Sequence, residues 1–269
     1  MALLPVALIA AGVLAWRVLS PLTASITASA AADSEQAAPE GASSTAAPGE
    51  RTDTGRLPPA QAPTGAADTA DRPEPLGLTF LGDIMAHSVN FTMGDFSRIY
   101  ADVAAELRAD DLTFANLETP VVADRAYESY PRFNVKPAYV RAAAEAGIEV
   151  FSVANNHAAD HGREGIEATR AAFSTLAATH EVTANGLRAS ADEPFEVTAL
   201  RVRGRRVGFV AVAQFLNGPA TGKELVHTVD YSDTSQAGRF LEWVASQAPT
   251  YDLFIVSFHG GREYALEPE

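Results

Sequence analysis

From Leu76 to the end of the chain, short apolar runs alternate with segments whose apolar residues recur at helical spacing. Three consecutive pairs of a run and a helical segment are present: 78–81 with 99–107, 112–115 with 138–146, and 150–154 with 166–176. Regular alternation of strands and helices predicts an α/β fold with a largely parallel sheet. We therefore assign residues 76–269 to one domain of the α/β class.

The rest of this domain carries a different pattern. Residues 195–201 and 206–213 are predicted to form two antiparallel strands that are joined as a hairpin around Gly204. A helix around 238–246 and a strand at 253–258 are expected to follow. The domain is thus predicted to contain both parallel and antiparallel strand pairs.

Two local signals concern the predicted helices. Ile99, Val103 and Leu107 recur every four residues, which predicts a helix with one apolar face. Gly147 directly follows the helical segment 138–146 and is predicted to end that helix, because glycine readily adopts the left-handed conformation of a C-cap.

The N-terminus is strongly apolar from Ala2 to Trp16. This stretch is shorter than the roughly 20 residues of a spanning helix and matches the hydrophobic region of a secretory signal. Ala28-Ser29-Ala30 then provides a small-residue cleavage sequence. We expect export, with residues 1–30 acting as a signal peptide or membrane anchor. A buried helix of a globular domain is the alternative.

Residues 31–75 have a low-complexity composition dominated by Ala, Pro, Ser, Thr, Gly, Asp and Glu. Leu57 is the only large aliphatic residue of the segment, and aromatic residues are absent from it. A segment that cannot bury apolar surface cannot offset the entropy lost on ordering. We therefore predict a disordered linker between the N-terminus and the domain.

The charge and the lack of cysteine exclude several kinds of site. The chain has no cysteine, so disulfides, thiolate zinc sites and cysteine nucleophiles are ruled out. Any metal must be bound by Asp, Glu, Asn and His. The formal net charge of −14 argues against binding of a nucleic-acid backbone, because such binding depends on Lys and Arg. Nucleic acid is therefore not an expected partner.

Polar side chains follow four of the predicted strands. They are Asp83 after 78–81, Asn116 and Glu118 after 112–115, Asn155, Asn156 and His157 after 150–154, and His259 after 253–258. Each residue alone is compatible with a turn, cap or loop. Ligands of open α/β sheets, however, bind at the carboxyl ends of strands, and oxygen and imidazole donors suit Mn, Fe or Zn. Their joint placement therefore predicts a divalent metal centre.

Several runs of the sequence resemble one protein family. The runs are Gly82-Asp83-Ile84-Met85, Ala115-Asn116-Leu117-Glu118-Thr119-Pro120, Tyr130-Pro131-Arg132-Phe133, Asn155-Asn156-His157 with Asp160 and Gly162, and His259-x-Gly261-x-Glu263-Tyr264-x-x-x-Pro268. In these motifs and their order, the globular part resembles the bacterial CapA family of capsule or poly-γ-glutamate synthesis proteins. That family lies within the calcineurin-like metallophosphoesterase superfamily.

The resemblance implies a metallophosphatase-like sandwich of two sheets flanked by helices. It also implies that one or two divalent ions are bound by Asp83, Glu118, Asn156 and His259, and that His157 donates a proton to a leaving group. Four further residues fall on family motif positions and are assigned substrate-binding or supporting roles: Asn116, Asn155, Glu263 and Tyr264.

The sequence departs from the family pattern in two places. Position 260 is Gly where the family usually has Trp, and the superfamily's last motif, Gly-His-x-(Pro)-His, is absent after His259. We therefore expect a domain that is truncated at its C-terminus. Among the other histidines, His87 and His161 are weaker candidates for the site, and two are expected at the surface: His180 and His227.

Two functions are compatible with these observations. The first is an exported, metal-dependent hydrolase or transferase that acts on an anionic capsule polymer, such as poly-γ-glutamate, or on its precursor. The second is a non-catalytic component that binds the polymer or a membrane-bound synthase during assembly. In both hypotheses the protein is located at the extracellular face of the membrane or is secreted.

Overall fold

The computed structural model describes residues 6–10 and 74–261, which contain eight strands and five α-helices. The strands are β1 Val6–Ala10, β2 Leu78–Ile84, β3 Leu112–Leu117, β4 Val150–Ser152, β5 Thr183–Asn185, β6 Thr198–Val202, β7 Arg205–Ala213 and β8 Leu253–His259. The helices are α1 Ser88–Phe91, α2 Ala104–Leu107, α3 Pro137–Glu145, α4 Gly162–Ala177 and α5 Thr234–Gln247.

The described strands form two four-stranded sheets. The first sheet has the order β2-β3-β4-β5, and all its neighbours are parallel. The second has the order β1-β8-β7-β6 and is parallel except for the β6–β7 hairpin. Arg203 and Gly204 form the hairpin turn with φ of 45° and 77°, as a two-residue turn of the primed type requires. The predicted hairpin around Gly204 is therefore present.

The two sheets pack face to face through apolar side chains. Phe114 of β3 and Phe209 of β7 are buried, and their ring centroids lie 5.3 Å apart. Helices α3 and α4 cover the outer face of the first sheet, where Phe151 packs on Phe173. Helix α5 covers the second sheet through Phe240 and its neighbours. The predicted α/β class and the metallophosphatase-like two-sheet arrangement with flanking helices are confirmed.

Helix α3 shows why local signals predicted several element ends well. Pro137 is the first helical residue, where its missing N–H costs nothing. Gly147 follows the helix with φ of 109°, and its Cα lies so close to Leu107 and Arg108 that a Cβ would clash. The predicted glycine cap is therefore present, and only glycine fits this position without strain.

The predicted helix over 99–107 is wrong. The segment contains a 3₁₀ turn, Phe96–Ile99, and then the single-turn helix α2. Val103 is 46% exposed, whereas Tyr100 is only 6% exposed. The core takes up the aromatic ring of Tyr100 rather than Val103, so the spacing of Ile99, Val103 and Leu107 does not mark one buried helical face. Strand β5, which has only three residues, was not predicted because it is too short to show a period.

Part of the predicted N-terminal leader is described as a strand. Val6–Ala10 forms β1, which pairs in parallel with β8 at the edge of the second sheet. The other residues of 1–30, and the predicted linker up to residue 73, lie outside the described residues. Within the described ranges, none of the helices has both the length and the apolar character that a membrane crossing requires. The leader and linker assignments stay predictions.

Asn185 connects the two sheets by side-chain hydrogen bonds. Its Nδ2 donates to the Glu196 carbonyl at 2.9 Å and to Thr198 Oγ1 at 3.0 Å, while its Oδ1 accepts from the Ala211 N–H at 2.8 Å. The Ala211 N–H lies beyond the end of the β6–β7 pairing, which stops at Thr198 and Phe209. The amide of Asn185 thus replaces a strand neighbour for the buried backbone of β7.

Replacing Asn185 by alanine is expected to lower the free energy of unfolding by about 2–3 kcal/mol, because it leaves a buried N–H without an acceptor. Urea denaturation of the full chain measures this loss as a lower midpoint with an unchanged slope. The matched control is Asn217→Ala, since the side chain of Asn217 is exposed. Equal midpoints for the two variants would contradict the prediction.

His227 is buried, so its predicted surface position is wrong. The side chain is 1% exposed and packs edge-on against Phe195 at 5.2 Å between ring centroids. Its Nδ1 lies 3.3 Å from the Ala211 carbonyl, while Nε2 is buried without a hydrogen-bond partner among the described residues. Burial, aided by the positive charge of Arg188, lowers the pKa of His227 to about 4.

This low pKa predicts a specific pH dependence of stability. The unfolded chain binds a proton at His227 below about pH 6.5, but the folded chain does so only near pH 4. The contribution of His227 to the free energy of unfolding is therefore fully present above the pKa of the unfolded state. It decreases as the pH is lowered through this window, by about 2–3 kcal/mol between pH 7 and 4.5. We expect His227→Gln to remove this part of the pH dependence in urea titrations. His180→Gln, on a half-buried histidine, serves as the control and should keep it.

Candidate metal centre

The candidate site lies at the carboxyl ends of β2, β3, β4 and β8, and so draws residues from both sheets. The β2–β3 register shifts between Phe80 and Asp83, which places Asp83 directly beside Asn116. His259 is the last residue of β8 and lies opposite Ala213, the last residue of β7. Because parallel strands end at one edge, and because the two sheets pack face to face, side chains distant in sequence meet here.

Asn116 lies at the centre of a polar network. Its Nδ2 donates to Asp83 Oδ1 at 2.7 Å and lies 3.2 Å from His259 Nδ1. The Nδ2 of Asn155 donates to Asn116 Oδ1 at 3.2 Å and to the Leu117 carbonyl at 2.8 Å. These bonds fix the orientation of the Asn116 amide. Asn116 and Asn155 were both predicted to support the site. Asn116 contacts two predicted ligands, Asp83 and His259, and Asn155 positions Asn116.

His259 faces the other three predicted ligands. Its Nε2 lies 2.9 Å from Asn156 Oδ1 and 3.8 Å from Glu118 Oε1, while its Nδ1 lies 4.0 Å from Asp83 Oδ1. The hydrogen bonds assign the neutral tautomer, in which Nδ1 accepts from Asn116 and Nε2 donates to Asn156. The structure therefore brings Asp83, Glu118, Asn156 and His259 together.

The donor set fits a divalent cation. Asp83, Glu118 and His259 each offer a ligand atom, and these three atoms lie within 4.8 Å of one another. Ligands bound to one ion at about 2.2 Å can be at most about 4.4 Å apart, so small side-chain adjustments suffice. The side chains of Glu118 and His259 are 7% and 13% exposed, whereas that of Asp83 is 34% exposed. A possible metal-ligand group is thus present, with one side open to solvent.

His157 directly follows Asn156 in the chain and is oriented by Asp160. The two residues are buried, and His157 Nδ1 lies 2.8 Å from Asp160 Oδ2. The same carboxylate oxygen accepts from the Phe133 N–H at 2.9 Å, and the Phe133 ring packs edge-on against His157 at 4.6 Å. Sequence reasoning gave Asp160 no role, although its spacing of three residues from His157 was a usable signal.

Two other histidines contact Phe133 rather than the ligand group. The His87 ring packs edge-on against the Phe133 ring at 5.4 Å, and His161 Nε2 lies 3.0 Å from the Phe133 carbonyl. Helix α4 begins only at Gly162, so His157 and His161 do not share a helical face. The remaining predicted residues, Glu263 and Tyr264, lie outside the described residues.

Gly260, where the family usually has Trp, is closely surrounded. A Cβ at this position would lie 2.7 Å from Gln214 Cβ and 2.8 Å from the Phe258 ring. Gln214 Oε1 also accepts a hydrogen bond from the Gly261 N–H at 2.8 Å. The side chains of Gln214 and Phe258 thus occupy space that any side chain at position 260 would enter.

Comparisons with known proteins agree with the motifs in this site. Residues 77–269 match the family described as "Bacterial capsule synthesis protein PGA_cap". The chain belongs to this family. Membership in the PGA_cap family confirms the resemblance to the CapA capsule synthesis proteins, which the strand-end motifs predicted.

Two individual proteins show similarity as well. The chain is 25% identical over 206 residues to "Capsule biosynthesis protein CapA" of Bacillus anthracis, a match that covers 72% of this chain and 49% of that protein. The chain therefore spans about half the length of this curated relative. A solved crystal structure of a hypothetical protein from Thermus thermophilus is 19% identical with a TM-score of 0.38, and the match covers 68% of this chain and 58% of that one.

Proposed function

We propose that this PGA_cap protein is a metal-dependent hydrolase or transferase of capsule synthesis, acting at the outer cell surface on an anionic polymer such as poly-γ-glutamate or on its precursor. One observation carries the proposal: two carboxylates, an amide and an imidazole from four strand ends converge, and His157, which directly follows the ligand Asn156, forms a buried pair with Asp160. Such an arrangement combines cation ligands with a residue that can transfer protons.

The side chains of the site divide into two roles. Asp83, Glu118, Asn156 and His259 would hold a divalent cation, which when bound supplies Lewis-acid activation of water and of a phosphoryl or carbonyl oxygen. Asn116 holds Asp83 and His259 in place through its amide hydrogens. Because these side chains are already held in place, they need to move less when the cation and the substrate bind.

His157 would transfer a proton to the leaving group. Asp160 binds Nδ1, so the neutral imidazole donates from Nδ1 to the carboxylate and retains Nε2 for proton exchange. The Phe133 N–H and ring hold the pair in place from the other side. Proton donation to a leaving group requires the imidazolium form of His157.

Metal titration of the purified full chain tests this proposal. After treatment with a chelator, the protein is titrated with Mn²⁺ by calorimetry and assayed for hydrolysis of bis(p-nitrophenyl) phosphate. We expect saturable binding of one or two equivalents and hydrolysis that requires the added metal. Binding of less than about half an equivalent, together with no metal-dependent hydrolysis, would overturn the proposal.

A non-catalytic role is the second candidate, and one observation favours it. Both ring nitrogens of His259 already have amide partners, Asn116 and Asn156, so the network is satisfied as a purely structural unit. In this role the protein would bind the polymer or a membrane-bound synthase. If Asp83→Ala with His157→Ala preserves capsule production in the native host while deletion abolishes it, the second candidate is correct.

The proposed outer-surface location is supported by the apolar stretch from Ala2 to Trp16. Protease treatment of intact cells tests it. A chain exposed outside the membrane is degraded without lysis, whereas a chain protected until lysis would contradict this location.

A further inference from the structure

A cavity of about 250 Å³ lies on the outer side of the second sheet, next to α5. Its lining includes Arg188, Phe195, Val229, Arg239, Phe240 and Trp243. None of these residues belongs to the candidate metal centre. Val229 and Phe240 are buried, whereas Pro194 and Arg239 at the edge of the cavity are exposed, so the cavity opens to solvent between these two residues.

Two arginines, Arg188 and Arg239, line this cavity. Among the described residues, no Asp or Glu oxygen lies within 4.0 Å of the guanidinium of Arg188 or Arg239. Glu193 lies farther away and still interacts electrostatically with Arg188, while its Oε2 accepts from the Ala189 N–H at 2.7 Å. Arg188 and Arg239 give this cavity two positive charges.

Arg188 is incompletely solvated and incompletely bonded. Its guanidinium lies over the Phe195 ring at 4.9 Å, and its Nε is buried without a hydrogen-bond partner in the described part of the chain. Burial lowers the pKa of Arg188 from its usual value. A guanidinium that is partly buried binds an anion more tightly than an exposed one, because fewer water molecules compete for its N–H groups. Arg239 is held at the cavity edge by a hydrogen bond from its Nη1 to Ser235 Oγ at 2.7 Å.

The apolar walls of the cavity indicate what kind of group a ligand would place against them. Phe240 and Trp243 stack with an interplanar angle of 22°, and Phe195 packs against both rings at 5.2 and 5.4 Å between centroids. Aromatic walls of this kind favour a flat or aliphatic group. The cavity is below the roughly 300–1,000 Å³ of sites for drug-sized ligands, so it suits a ligand about as large as one amino acid.

We propose that this cavity binds a small organic carboxylate that has an aromatic or other apolar body. The planar carboxylate is bound by Arg188 and Arg239, whose forked N–H groups match its two oxygens. The apolar body contacts Phe195, Phe240 and Trp243. This proposal does not depend on metal binding or on catalysis at the strand ends.

N-acetyl-L-phenylalanine is a suitable probe, and its uncharged amide is the matched comparison. Trp243 reports binding by fluorescence, in a full chain that carries Trp16→Phe so that Trp243 is the remaining tryptophan. The measurement is made in the presence of a chelator. We expect a saturable change in emission with the acid, and binding of the amide that is weaker by about tenfold or more, as loss of a charge-assisted hydrogen bond implies.

Three variants test the roles of the two arginines. Arg239→Gln and Arg188→Met are each expected to weaken binding of the acid by about tenfold, whereas Arg201→Gln, on an exposed arginine of β6, is expected to leave it unchanged. Because Arg239 is exposed, its variant keeps the test decisive even if Arg188→Met does not fold. Equal binding of acid and amide, or no saturation up to about 10 mM acid, would overturn the proposal.

Discussion

Replacing Glu118 by glutamine is expected to weaken Mn²⁺ binding by about 100-fold, as the removal of a charged ligand implies. Glu118 is 6% exposed, and its Oε1 faces His259 Nε2 at 3.8 Å, so the substitution removes a negative charge at the centre of the ligand group. The affinity is measured by calorimetric titration of the full chain. The matched control, Glu242→Gln on the exposed face of α5, should bind Mn²⁺ like the unmodified protein.

A melting curve in chelator separates loss of a ligand from loss of the fold. Glu118 and Asp83 each place a ligand atom within 4.8 Å of the other, and two like charges at this distance repel each other when no cation is present. Glu118→Gln should therefore melt at the same temperature as the unmodified chain, or above it, when metal is absent. Unchanged Mn²⁺ affinity in a folded Glu118→Gln variant would show that Glu118 is not a ligand.

Replacing His157 by asparagine is expected to lower kcat of metal-dependent hydrolysis by about 10²–10⁴-fold, the usual contribution of a general acid. The asparagine Nδ2 can take the place of His157 Nδ1 in the 2.8 Å contact with Asp160, but nothing replaces Nε2. The substitution therefore removes proton transfer and keeps the local hydrogen bond. The measurement is the hydrolysis rate of the phosphodiester at saturating Mn²⁺.

Metal affinity distinguishes this role of His157 from that of a ligand. We expect Mn²⁺ affinity to change by less than about threefold in His157→Asn, because His157 is not part of the converging ligand group. His180→Asn, at a half-buried histidine outside the site, is the control and should leave both quantities unchanged. A rate equal to that of the control would rule out His157 as the proton donor.

The main architecture was predictable because it depends on local signals. The strands at 78–81, 112–115 and 150–154 are short, continuous apolar runs, and β2, β3 and β4 form at these runs. Gly147 also predicted the end of α3, and Gly204 predicted the turn of the β6–β7 hairpin. These signals operate within a few residues, so they do not require knowledge of the partner surfaces.

The predictions for the segment 99–107 and for His227 were wrong because packing against residues distant in sequence decides both structures. The segment 99–107 has a helical spacing, but burial of Tyr100 gives a 3₁₀ turn and one short α-helical turn instead. His227 was expected at the surface, but packing against β7 and Phe195 buries it. The residues next to Tyr100 and His227 in the sequence do not reveal that these side chains are buried, because the burial depends on contacts with residues far away in the chain.

By itself, the sequence determined the chemistry that the site can contain. A chain without cysteine, with Asp, Asn, Glu and His after successive strands, allowed only a centre of oxygen and imidazole donors. Only the tertiary structure decided that Asp83, Glu118 and His259 meet, that Asp160 orients His157, and that two arginines line one aromatic cavity. The reason is geometric: strand ends are defined locally, whereas distances between them depend on how two sheets register and pack.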